Sequence, residues 1–423
     1  MTYDEAIAYI HSVNWRGSRP GLSRITELLS RLGNPESSLT CIHIAGTNGK
    51  GSTSAMLDSI LRRAGYSVGS FTSPFIEVFN ERIMLDGEMI SNKDLCRFLS
   101  VVQPIAEAME DKPTEFELIT ALGFLYFKEK GCDFVVLEVG MGGRLDSTNV
   151  IEKPLLSIVT GIAMDHTAVL GNTVEAIARE KAGIIKKGCP VLYGGEDKVA
   201  LSVLTEEAKR KNAPFFVTDH RALSVKKTDL YGTLFDYREY KDLAISLCGL
   251  YQTRNAATVI CAVDILRGCG LIIPDEALRV GLEDTVWRAR FEVLSREPLF
   301  VFDGSHNAQG IAAAAESIGE YFKDGVYLLS GVMADKDYGD MIELLSPHVK
   351  RAFTVTPDNP RALSADAYAE AFRQAGIPAE GFGTVEEGVL AILSAASDKT
   401  PIVALGSLYM YGEVKSSLRK LLP

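Results

Sequence analysis

The chain has 423 residues, of which 47% are hydrophobic and 23% charged, and its formal net charge is −11. That length exceeds one ordinary hydrophobic core, so two domains are expected, and the acidic balance argues against general binding to nucleic acid or to anionic membranes. Seven scattered cysteines with no Cys-x-x-Cys pair suggest neither a disulfide framework nor a zinc site.

In chain order, "MTYDEAIAYIHSV" reads as the start of an amphipathic helix and not as a signal peptide. No apolar run is long enough to span a bilayer, so a soluble protein of the reducing cytoplasm is expected. Short apolar, β-rich runs follow at 40–46, 66–73, 132–140, 155–163 and 189–195, and helical patterns separate the early ones. This alternation predicts a doubly wound, mostly parallel α/β sheet. Segment 222–248 breaks the rhythm with short alternating runs around Gly232, which predicts antiparallel hairpins at the sheet edge. A helix is expected over 252–270, ending at glycine. A second series of strands at 298–304, 325–333, 351–357 and 401–407 predicts a smaller, Rossmann-like α/β domain. The boundary falls within 281–298, giving domains of 1–287 and 288–423.

Ligands of open α/β sheets bind beyond the carboxyl ends of the strands, so the polar residues gathered there carry the most weight. The first such end carries Gly46-Thr47-Asn48-Gly49-Lys50-Gly51-Ser52. It misses the usual phosphate-loop spacing, because Ile44 stands where the first glycine belongs and Gly51 follows the lysine. A strand before, a helix after and a lysine between still favour an anion site. Glu138 ends an almost wholly apolar strand, where a carboxylate is costly unless paired, hydrogen-bonded or on a metal. His166 alone reads as structural but beside the other strand ends becomes a ligand candidate, while Ser73, before a proline, is uninformative by itself. Asn172, with Glu175 three residues on, is the candidate cap of a helix whose apolar stripe is Val174, Ile177, Ala178, Ala182 and Ile185. Lys181 lies on that stripe. By pattern alone its stem packs and its amine reaches water. A buried, neutral amine would instead react with carbon dioxide to form a carbamate. Asp303 and His306 lie beyond a strand of the second series.

The segments "AGTNGKGS", "FTSPFIEVFNERI", "TEFE", "LEVGMGGRLDSTN", "MDHTAVLGNT", "EKAGIIK", "LYQTRNAA", "FDGSHN", "DKDY" and "GSLY" occur in that order. Together they resemble the folylpolyglutamate synthase and dihydrofolate synthase family of the Mur ligase superfamily over nearly the whole chain, and the compressed phosphate loop is one of its marks. The resemblance implies that ATP phosphorylates a folate carboxylate and that L-glutamate displaces the phosphate. It implies reduced folate or dihydropteroate as acceptor, a monomer, and no nucleic-acid or membrane partner.

By position, the resemblance implies that Thr47, Asn48, Gly49, Lys50, Gly51 and Ser52 cradle the phosphates, with Lys50 on the transferring group. It makes Ser73, Glu138 and His166 ligands of magnesium, with two metal sites allowed, and Lys181 the bearer of a carbamate derived from carbon dioxide. Asn255, Arg290, Asp303 and His306 would serve ATP, with His306 also counted as catalytic. Phe75, Phe116, Glu117, Leu145, Asp146 and Ser147 would lie near the pterin. Two departures stand out. The family's Trp-Pro-Gly-Arg hinge is Trp287-Arg288-Ala289-Arg290, which leaves Arg288 a rival to Arg290, and its Asp-Gly-Ala-His-Asn is Asp303-Gly304-Ser305-His306-Asn307. The alternatives are a superfamily ligase acting on a cell-wall precursor and, from another class, a P-loop kinase or nucleotide switch.

Overall fold

The first apolar run forms strand β1 (Cys41–Ala45), buried at every residue, as a central parallel strand covered on both faces must be. The chain then forms β2 (Val68–Phe71), β3 (Ile83–Leu85), β4 (Glu88–Met89), β5 (Phe134–Glu138), β6 (Leu156–Val159), β7 (Val191–Tyr193) and β8 (Phe215–Val217). Their order in the sheet is β4-β3-β2-β5-β1-β6-β7-β8. All neighbours pair in parallel except the β2–β3 and β3–β4 pairs. The order reverses at β1, which has β5 on one side and β6 on the other, so the topological switch point lies at its carboxyl end. The register sets Ile44 beside Glu138 and Ala45 beside Val159, which brings those strand ends level.

The computed structural model describes residues 1–13, 19–396 and 399–422. They divide into one compact unit of Met1–Leu223 with Arg254–Thr285 and another of Ser224–Thr253 with Val286–Pro423. In the first unit one apolar cluster gathers the N-terminal helices, the helix Glu115–Lys130 and one face of the sheet, and a second gathers β6, β7 and the helices Val174–Ala182 and Lys198–Arg210. The cap of helix Val174–Ala182 is Thr173, whose hydroxyl accepts from Ala176 N at 3.1 Å, and not Asn172. The hydroxyl stands one residue closer to the first turn, where it reaches the amide three residues on. The loop 140–149 docks onto this helix through glycines. A Cβ on Gly143 would lie 2.8 Å from the Glu180 carbonyl, and one on Gly183 would overlap the backbone of Arg144.

In the second unit β9 (Leu223–Asp229), β10 (Gly232–Tyr237) and β11 (Tyr240–Ile245) form a meander. The antiparallel pairing was expected, but its place at the edge of the large sheet was not met: these strands make a sheet of their own. Hydrogen bonds explain the allegiance, since Tyr321 Oη binds both Thr228 Oγ1 at 2.9 Å and Gly249 N at 3.2 Å, and Ser317 Oγ accepts from Leu250 N at 3.0 Å. Strands β12 (Glu292–Arg296), β13 (Leu299–Asp303), β14 (Val326–Ser330), β15 (Val349–Val355), β16 (Ala379–Phe382) and β17 (Ile402–Leu405) form the third sheet, ordered β12-β13-β17-β14-β15-β16. Only β12 is antiparallel to its neighbour. Strands β3, β4, β8, β12 and β16 escape the sequence reading because they lie at or next to sheet edges, are at most five residues long, and either carry polar residues or are apolar for only three residues.

Two glycine variants test the packing. Gly183→Ala is expected to lose about 1–3 kcal/mol in denaturant unfolding, the usual cost of overpacking. Gly268→Ala, in a helix with nothing near its would-be Cβ, is expected to gain up to about 1 kcal/mol.

Candidate active site

The loop after β1 is held to the chain after β6 on the opposite side of the switch point. Thr47 N donates to the Gly161 carbonyl at 2.7 Å, and Thr47 Oγ1 lies 3.1 Å from both the carbonyl and the amide of Ala163. Thr160 Oγ1 donates to the Asn48 carbonyl at 2.7 Å. Gly46 is required here, since a Cβ would overlap Thr160 Oγ1. Gly49 takes a left-handed φ of 86° to start the helix Lys50–Arg63, and a Cβ on it would lie 2.6 Å from Asn255 Oδ1. Asn255, expected to contact ATP, thus packs against the phosphate loop. No side chain caps that helix, so its first turn offers amide donors and a positive dipole end to an anion. Lys50 Nζ donates to the Gly46 and Thr47 carbonyls, each at 3.2 Å, and stands 4.0 Å from Glu138 Oε1.

Lys181 overturns the expectation drawn from helical pattern. Its amine does not reach water: the residue is 4% exposed, and Nζ donates to the Gly46 carbonyl at 2.8 Å. Burial, reinforced by the charge of Lys50, pushes its pKa down to about 7. The amine is drawn instead to the phosphate-loop carbonyl, and the loop 140–149 packs on this stretch of the helix, where a Cβ on Gly143 would lie 3.0 Å from Lys181 Cα. One backbone carbonyl therefore receives both lysines of the site.

Glu138 is buried at the end of β5. His166 is exposed and left-handed at φ 49°, preceding the short helix Thr167–Leu170, and its amide bonds Asp165 Oδ1 at 2.9 Å. Ser73 is half-buried in the turn after β2. Among the described residues no three His, Cys, Asp or Glu side chains form a ready metal cluster. The expected set contains only two such residues and a hydroxyl, which suits a cation that keeps waters and shares phosphate oxygens.

Among the expected substrate residues, Phe116 packs edge-on to Phe71 at 5.9 Å, and a Cβ on Gly140 would lie 2.5 Å from its ring. Phe75 lies 6.0 Å from Phe79. Leu145 is half-buried, and Ser147 is buried. Glu117 is committed elsewhere: Oε2 accepts from Thr114 N at 2.7 Å and from Arg24 Nε at 3.0 Å, fixing the start of the helix that carries Phe116. Asp146 accepts from Met141 N at 2.9 Å and from Thr148 Oγ1 at 2.6 Å, while burial pushes its pKa up. Thr148 Oγ1 in turn lies 2.9 Å from Nε2 of His43, a fully buried histidine whose pKa burial lowers to about 3. His43 and Thr160 were missed. His43 lies within the apolar strand β1 and Thr160 just past the end of β6, much as Glu138 ends β5.

In the second unit Asp303 is fully buried at the end of β13. It accepts from Tyr251 Oη at 2.6 Å, Phe291 N at 2.9 Å and Ser305 N at 2.8 Å. Burial and this carboxylate push the Tyr251 pKa well up, so the phenol stays a donor. Arg290 is the hinge arginine at this cluster: a Cβ on Gly304 would lie 3.0 Å from its Nη1, whereas Arg288 is exposed. Ala289 and Phe291 flank it with left-handed φ of 56° and 47°, a conformation that side chains disfavour. The Gly304 amide holds the Ala289 carbonyl at 2.8 Å. His306 Nδ1 lies 2.8 Å from the Gly304 carbonyl, and Asn307 caps the helix Ala308–Tyr321.

A phosphate-type loop at a switch point, followed by a second α/β unit, defines a nucleotide-dependent enzyme of two domains. Residues 44–263 match the Mur ligase middle domain and residues 289–408 the Mur ligase, glutamate ligase domain. The chain is 38% identical to the dihydrofolate synthase/folylpolyglutamate synthase of Bacillus subtilis, covering 99% of each. It is similar to the crystal structure of a Thermotoga maritima folylpolyglutamate synthase, with TM-score 0.85, 33% identity, and 99% and 96% of the two chains covered. It also resembles Escherichia coli FolC in complex with DHPP and ADP, with TM-score 0.89, 28% identity, and 99% and 98% covered. The chain belongs to the folylpolyglutamate synthase/dihydrofolate synthase family of Mur ligases.

The buried amine gives a signed pH dependence. A lysine whose folded pKa is about 7 carries its full burial cost below pH 7, and the cost is relieved as pH rises toward the unfolded value. Wild-type protein in carbonate-free buffer should therefore gain stability between pH 7 and 9 relative to Lys181→Met, by up to about 1.4 kcal/mol per pH unit, as read by denaturant melts.

Proposed function

We propose that the chain joins L-glutamate to the carboxylate of a reduced folate, and to dihydropteroate, with ATP as phosphoryl donor. The observation that carries this reading is the buried Lys181 amine bonded to the same Gly46 carbonyl as Lys50, at the switch point of a Mur-type sheet. The first step forms a bond from a carboxylate oxygen to the γ-phosphorus of ATP and releases ADP. The second forms the amide: the glutamate nitrogen attacks the acyl carbon, loses a proton, and phosphate leaves. A carboxylate resists amines until phosphate supplies a leaving group, so the protein's work is orientation and charge stabilisation.

The amides at the start of helix Lys50–Arg63 receive phosphate oxygens, and Lys50 exchanges its loop carbonyls for the transferring phosphoryl group. Glu138, Ser73 and His166 would hold magnesium, which would supply positive charge against the phosphates. The donor set fits, since a buried carboxylate and a hydroxyl are the hard oxygens that magnesium takes. At neutral pH a large share of Lys181 is unprotonated, and that amine can attack carbon dioxide, losing a proton to leave a carbamate anion beside Lys50. We assign Asn255, Arg290, Asp303 and His306 the ATP contacts that the family pattern implies. Phe75, Phe116, Leu145, Asp146 and Ser147 line the pterin side, with Glu117 setting Phe116. We place the protein in the cytoplasm as a monomer.

The test is phosphate release from ATP by purified protein with magnesium and bicarbonate. Release should require both L-glutamate and either tetrahydrofolate or dihydropteroate, and no dependence on either acceptor would refute the reading. Lys181→Ala should lower kcat by about 100-fold or more. Lys187→Ala, at an exposed neighbour, should stay within about twofold of wild type. Lys186 is a poor control because its amine supports the Asn149 carbonyl at 2.9 Å.

A further inference from the structure

The loop between β2 and β3 carries Ser73 and Phe75, and one carboxylate organises it from within. Glu81 Oε2 accepts from Ile76 N at 2.7 Å, while Oε1 accepts from Glu77 N and Val78 N, each at 3.1 Å. Three consecutive amides thus converge on one side chain, an arrangement that a two-oxygen anion satisfies and a neutral side chain does not. The base from which Glu81 reaches is itself pinned. Its neighbour Asn80 is buried, donates to the Ile90 carbonyl at 2.6 Å and to Asn92 Oδ1 at 3.0 Å, and accepts from Tyr3 Oη at 2.8 Å. On the other side Arg82 closes the loop, its carbonyl accepting from Thr72 N at 3.0 Å and its guanidinium lying 5.2 Å from the Phe75 ring centre.

We propose that Glu81 is a positioning residue that holds Ser73 and Phe75 in place by clamping the amides of residues 76–78, so that one side chain sets both the metal-side hydroxyl and the pterin-side ring. The inference rests on the roles given to Ser73 and Phe75 above. The sheet does not need this clamp, because β2 and β3 pair directly through Gly69–Leu85, Ser70–Met84 and Phe71–Ile83. Loosening the loop therefore displaces site residues without unpairing the sheet. Glutamine keeps one acceptor oxygen, but its NH2 group would face an amide donor, so Glu81→Gln loses one side of the clamp and Glu81→Ala loses both.

The full chain and both variants should be compared with Glu88→Gln, a change on an exposed strand. Glu81→Ala is expected to raise KM for tetrahydrofolate about tenfold and the magnesium concentration for half-activation several-fold, and to leave KM for L-glutamate within about twofold. Glu81→Gln should fall between, and hydrogen exchange should quicken at the amides of 76–78. Unchanged tetrahydrofolate KM and magnesium dependence in both variants would overturn the proposal. So would an equal rise in all three constants with a matching fall in Tm, the mark of a structural role alone. Should Glu81→Ala fail to fold, Glu81→Gln decides by the same constants. If wild-type protein shows no folate-dependent turnover, the functional reading fails. The clamp is then judged by exchange alone, and unaltered exchange at 76–78 refutes it.

Discussion

The first unit depends on one carbonyl, that of Gly46, which takes a hydrogen bond from Lys181 at 2.8 Å and another from Lys50 at 3.2 Å. Two amines meeting at one acceptor would repel strongly if both were charged and dry. Burial resolves this by lowering the affinity of Lys181 for its proton, so near neutral pH that amine tends toward its uncharged form. The arrangement costs stability, and the roles proposed for the two lysines would account for it: a neutral amine is a nucleophile, and a charged one beside a helix start attracts phosphate.

The surrounding structure is what a close approach to that carbonyl requires. Gly46 makes room for Thr160, Gly49 turns the chain into its helix against Asn255, and Gly143 and Gly183 let the loop 140–149 lie on the Lys181 helix. The second unit builds its own cluster on Asp303, whose oxygens accept from Tyr251, Phe291 and Ser305 while the left-handed Ala289 and Phe291 hold Arg290 between them. A hinge of this family often has glycine where Ala289 stands. The backbone here keeps the glycine-like conformation, held by the bond between the Ala289 carbonyl and Gly304 N.

Much of this was legible before any coordinates. Central strands of both large sheets announce themselves because burial on both faces demands continuous apolar runs, as in "CIHIA" and "FVVLE". Edge strands such as β4 (Glu88–Met89) and β8 (Phe215–Val217) carry no such demand and were invisible. The same logic marked Glu138 as a polar residue at an apolar strand end, and applied evenly it would also have marked His43 and Thr160. Glu117 shows the converse. Its motif placed it near the substrate; its oxygen also takes the Thr114 amide three residues back and pairs with Arg24, 93 residues away, a partner no local pattern records.

By itself the amino-acid sequence determined the two α/β series, the position of the phosphate loop, the strand-end residues and the family, because each is a local pattern of residue type and spacing. Only tertiary structure decided which way Lys181 points, since a lysine on an apolar stripe reaches water unless a partner holds it inside, and that partner, the Gly46 carbonyl, lies 135 residues earlier in the chain. Tertiary structure likewise decided that the meander from Ser224 to Ile245 joins the second unit and that Arg290 stands beside Gly304. In each case the deciding contacts link segments whose separation no local pattern records.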